Sequence, residues 1–90
     1  MSIIDKPKIL LIDDDIWQSD IYVNVLKNNY EIKSTQNLNN AIKLIESWSP
    51  QLIIADVLLS GETIFTLLNE LQSDMHLGKI PVVIITNIAD

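Results

Sequence analysis

Ninety residues, 48% of them hydrophobic and 20% charged, suffice for one folded domain with one core and leave no room for a second, so residues 1–90 are read as a single domain. Twelve acids against six lysines, with no arginine, give a net charge of −6; this excludes the basic footprint of direct nucleic-acid binding and disfavours an anionic membrane surface. The apolar runs are too short to span a bilayer, the start MSIIDKPK lacks a secretory pattern, and the absence of cysteine removes disulfides and thiol chemistry, so a cytoplasmic location is expected.

Lys8 to Ile12, following Pro7, is apolar on both sides and reads as a strand covered on both faces. It runs directly into Asp13, Asp14 and Asp15. Trp17, Ile21, Val25 and Leu26 then fall at helical spacing, with Asn28-Asn29 as a stop, and Asp15 is placed to cap this helix. Tyr30 to Thr35 alternates and reads as a weaker, half-exposed strand suited to a sheet edge. Leu38, Ala41, Ile42, Ile45 and Trp48 form a second helical stripe, with Asn37 as N-cap and Ser49-Pro50 as its end. Lying on these stripes, Trp17 and Trp48 are read as core or partly exposed packing residues. Leu52 to Asp56 is a second fully apolar strand that ends in an acid. Ile64, Leu67, Leu68 and Leu71 mark a third helix. His76 lies in a polar loop and is read as solvated. Ile80 to Thr86 is a fourth strand, with Pro81 near its start, where no ladder donor is needed.

Strands alternating with helices over short connections imply a parallel sheet with helices on both faces. Ligands of such sheets bind beyond the carboxyl ends of the strands. Asp13 to Asp15, Asp56 and Thr86 all fall on that rim. Gathering carboxylates there is costly, because like charges about 4 Å apart repel by roughly 4 kcal/mol at an effective dielectric near 20. Either a proton or a cation must relieve them. Ligands that are all oxygen match a hard ion, Mg²⁺ above all, whose remaining waters can be exchanged for phosphate. A cation, a carboxylate nucleophile and the Thr86 hydroxyl together describe phosphoryl transfer to an aspartate.

The pieces KILLIDDD, PQLIIADVLL and IPVVIITNIAD resemble the first, third and fourth strands of response regulator receiver domains from two-component signalling. The resemblance implies a flavodoxin-like, doubly wound α/β fold in which the four strands present take the order 2-1-3-4. It implies Asp56 as phosphoacceptor from a histidine kinase or phosphotransfer protein. It further implies Asp13 and Asp14 in an acid pocket, Mg²⁺ held by Asp14, Asp56 and the Leu58 carbonyl, and Thr86 hydrogen-bonding the phosphoryl group. Such a chain is a signalling module and not an enzyme. Asp15 has no role in that scheme.

The sequence departs from the family pattern in two places. Ser60 stands where a proline is usual, and Thr63-Ile64 where an Asp-Gly pair is usual, which alters the turn chemistry. The family's last helix-strand-helix segment has no counterpart here, nor does the lysine that follows its fifth strand; Lys79 precedes the fourth strand, on the opposite rim. The chain is accordingly expected to be a truncated receiver, a short receiver that dimerises through its uncharged fourth strand, or an interaction module that keeps the acids without the switch. An aspartate-dependent phosphatase fits less well: Asp13 and Asp15 have the needed spacing, but Trp17 stands where threonine or valine is usual. No Walker-type nucleotide motif occurs.

Overall fold

Along the chain the elements are β1 (Lys8–Ile12), α1 (Ile16–Leu26), β2 (Glu31–Thr35), α2 (Leu38–Trp48), β3 (Leu52–Asp56), β4 (Leu58–Leu59), β5 (Glu62–Thr63), α3 (Ile64–Gln72), a 3₁₀ turn (Leu77–Lys79) and β6 (Val82–Ile85). This computed structural model describes residues 6–56, 58–59 and 62–85. β1, β2, β3 and β6 form a parallel sheet in the order β2-β1-β3-β6, which is the flavodoxin-like order expected from the sequence. The alternating strand Glu31–Thr35 is an edge, as its half-polar pattern required, and the uncharged Val82–Ile85 is the other edge.

Because strand side chains alternate, Leu10 and Ile12 of β1 share a face with Ile53 and Ala55 of β3. That face is closed by Leu38, Ala41 and Ile45 of α2 and by Ile64, Leu67 and Leu71 of α3, and all ten residues are buried in one core. Ile9 and Leu11 point to the other face and are buried as well. α2 starts at Asn37, whose side chain accepts from the Asn40 N–H at 2.9 Å. It stops where Ser49 turns left-handed (φ 55°) ahead of Pro50. Trp48 is half-buried, with the ammonium groups of Lys8 and Lys33 at 5.7 and 4.9 Å from its ring centre. The two strands thereby grip the end of α2.

The first helix corrects one expectation. Trp17, Ile21 and Val25 lie on a helix, as their spacing requires, but they are 83%, 63% and 68% exposed and are not core residues. The arc that α1 turns inward carries Ser19, Tyr22, Val23 and Leu26. α1 is apolar on two arcs, so its periodicity could not say which one meets the sheet. A short antiparallel hairpin, β4 with β5, is a further addition; it occupies the segment where the sequence departs from the family's turn chemistry. No helix among the described residues is long and apolar enough to cross a membrane.

Candidate functional site

β1 ends at Ile12, just before Asp13, and β3 ends at Asp56 itself, so these neighbouring parallel strands bring their acids to the same rim. Asp13, Asp14 and Asp56 each place a carboxylate oxygen within 4.8 Å of the others. Asp13 is wholly buried, Asp56 is 7% exposed and Asp14 faces solvent. The Asp13 N–H donates to the Thr35 carbonyl at 3.0 Å, extending the β1–β2 ladder by one step and fixing the first acid in place. The group that gives this support is a backbone carbonyl, which no side-chain pattern in the sequence announces.

The three adjacent acids divide by position and partner. Asp15 turns away and caps α1, its Oδ1 accepting from the N–H groups of Trp17 and Gln18 at 3.0 and 3.2 Å. Its own N–H donates to Asp13 Oδ1 at 2.9 Å. Asp13 Oδ2 is buried with no hydrogen-bond partner among the described residues. Burial pushes the Asp13 carboxyl above its ordinary value; the Asp15 N–H opposes this, and the charges of Asp56, Asp14 and Asp15 add to the rise. An orphaned carboxylate oxygen in a set of purely oxygen donors is what a hard divalent cation satisfies. The residues present therefore fit such an ion.

Of the other expected site residues, Leu58 lies two positions beyond Asp56, in β4, where its backbone pairs with Thr63. Thr86 lies outside the described residues. His76 is exposed in the loop before the 3₁₀ turn, as expected. Lys79 ends that turn ahead of β6, at the rim opposite the acids.

Residues 9–90 match the family model described as the response regulator receiver domain. "Histidine kinase P4" of Formosa agariphila is 31% identical over 83 residues, which is 92% of this chain and 6% of the kinase. Among solved structures, the signal receiver domain of a LuxO repressor protein described as putative, from Vibrio parahaemolyticus, superposes with a TM-score of 0.81 at 27% identity, over 94% of this chain and 65% of that one. The chemotaxis response regulator CheY4 of Vibrio cholerae gives 0.85 at 20% identity, over 94% and 72%, a likeness of fold. The chain thus spans less than two thirds of the kinase and of the first receiver. With the family's strand order, its acids gathered on one rim and a match running from Ile9 to Asp90, the chain belongs to the response regulator receiver domain family.

Proposed function

We propose that this receiver domain is a phosphoacceptor of two-component signalling, with Asp56 as the accepting residue. The observation that carries the reading is the meeting of Asp13, Asp14 and Asp56 within 4.8 Å at the strand ends, one of the carboxylates buried and short of a partner. The donor is a phosphohistidine of a histidine kinase or phosphotransfer protein. An Asp56 carboxylate oxygen bonds to phosphorus as the P–N bond of the phosphohistidine, protonated on its other ring nitrogen, breaks with its electron pair going to nitrogen, leaving an acyl phosphate on Asp56 and a neutral imidazole on the donor. Asp13, Asp14, Asp56 and the Leu58 carbonyl are the groups that would hold Mg²⁺, which when bound neutralises charge on the carboxylates and the phosphoryl oxygens. The Thr86 hydroxyl would donate to a phosphoryl oxygen. The domain acts as a signalling module, and this reading implies a cytoplasmic location.

Incubation with acetyl phosphate and Mg²⁺ should add the mass of one phosphoryl group to the chain, and Asp56→Asn should abolish the gain. Beryllofluoride with Mg²⁺ should shift the amide signals around Asp56. If neither effect appears, the chain is not a phosphoacceptor.

A second reading is favoured by one observation: β6 is an uncharged edge whose Val83 and Ile84 are 47% and 43% exposed. Such an edge is a template for strand pairing, and it supports a module that docks or self-associates through β6 without phosphorylation. Light scattering should then show a dimer that Val83→Lys returns to monomer, whereas a monomer at every concentration removes this reading.

A further inference from the structure

At the opposite end of the domain, α2 and the last turn of α3 leave between them a cleft of about 160 Å³. Its floor is apolar: Ile45 and Leu71 are buried, and Ile42 and Leu77 are half-buried. Gly78 sits so close beneath α3 that a Cβ there would lie 3.2 Å from the Leu71 carbonyl oxygen, which lets the 3₁₀ turn close one wall. The rim is acidic. Glu46, Glu70 and Asp74 stand around the opening, all exposed, and among the described residues none of them is in an ion pair. Lys43 and Lys79, the lysines nearest to them in sequence, are likewise exposed and do not close the gap. Asp74 accepts from the Leu77 and His76 N–H groups, which hold its carboxyl below the ordinary range and keep it charged.

We propose that this cleft docks a lysine- or arginine-presenting segment of a partner protein. The aliphatic stem of such a side chain lies on Ile42, Ile45 and Leu77 while its cationic head reaches the carboxylates, and neither half of the site is satisfied by another class of residue. A purely apolar side chain would strip water from the carboxylates without replacing it. A bare cation would leave the floor wet. The net charge of −6 draws a basic partner toward this domain. α2 and α3 run antiparallel to the strands, so the cleft lies toward the amino ends of the sheet, away from Asp13 and Asp56. A docked partner leaves the acid rim free, and this proposal does not depend on phosphoacceptance.

The test is an amide-shift titration of the whole chain with a capped helical peptide of leucine and lysine pairs, alongside the same peptide with glutamate in place of lysine. Shifts are expected at Ile42, Glu46, Glu70 and Leu77 with the lysine peptide only. Glu46→Gln with Glu70→Gln should weaken binding about tenfold, while Asp20→Asn with Glu31→Gln, which removes equal charge from exposed positions elsewhere, should leave it within about twofold. All four positions are exposed, so the fold is kept, and the spectrum reports it. Equal weakening by both pairs, shifts spread over the whole surface, or no binding overturns the proposal.

Discussion

On one face of the sheet, Leu10, Ile12, Ile53 and Ala55 meet α2 and α3 and are sealed from water. On the other, Ile9 and Leu11 are sealed, but α1 turns Trp17, Ile21 and Val25 outward; the β6 edge opens on both faces, with Ile84 43% and Val83 47% exposed. The two helices that flank β2 have equal length and comparable apolar content, yet α2 buries its stripe and α1 shows one of its two. The difference teaches that an apolar repeat declares a helix, whereas burial depends on what stands opposite it.

The sharpest way to break this contrast is a pair of truncations. Ile45→Ala in α2 should cost about 2–5 kcal/mol because it opens a cavity in a closed core. Ile21→Ala in α1 should stay within about 0.5 kcal/mol, as expected of a surface position. Urea unfolding measures both, and a large loss at Ile21 would mean that its stripe is covered in solution.

At the rim between the faces, Asp13→Asn should raise the stability of the cation-free chain by on the order of 1 kcal/mol. It removes a buried like charge and keeps an oxygen for the Asp15 N–H. The same variant should lose any stabilisation that Mg²⁺ confers on the parent, seen as a thermal midpoint that no longer responds to the ion.

Helix caps should not register the contrast at all. Asn37→Ala in α2 and Asp15→Ala in α1 should each cost about 1 kcal/mol, because a cap serves its own first turn whatever the rest of the helix faces. Unequal losses would show that the two helices differ in more than the direction of their stripes.

The smallest effect concerns Asp74 at the end of α3. The Leu77 and His76 N–H groups hold its folded-state pKa below the ordinary 3.8. Its contribution is therefore fully present above that value and is lost as pH falls through the lower folded value. Asp74→Asn should therefore lower stability slightly above 3.8, where the parent carries the full contribution, and flatten the acid limb of the stability–pH curve, the two chains converging at the lowest pH.

Much of the domain was legible from residue order. Lys8–Ile12 and Leu52–Asp56 could be read as central strands because they are apolar on both sides, and Glu31–Thr35 as an edge because it is not. Asp15 and Asn37 could be read as caps from their place before apolar stripes, and both accept the N–H groups expected of them. Three features escaped. The β4–β5 hairpin rests on two-residue strands, too short to carry a period. The Thr35 carbonyl that anchors Asp13 is a backbone group, and nothing in a side-chain pattern names it. The pairing of Lys8 and Lys33 with Trp48 joins residues far apart in the chain.

The sequence by itself determined the alternation of strands and helices and the rim on which the acids must gather, because period, capping and chain reach are local or nearly so, while the sheet order was readable only through the resemblance to the receiver family. Only the tertiary structure decided which acid is buried, which arc of α1 meets the sheet, and that Glu46, Glu70 and Asp74 ring an apolar cleft. Each of these depends on surfaces brought together from distant parts of the chain, and desolvation, unlike periodicity, exists only once they have met.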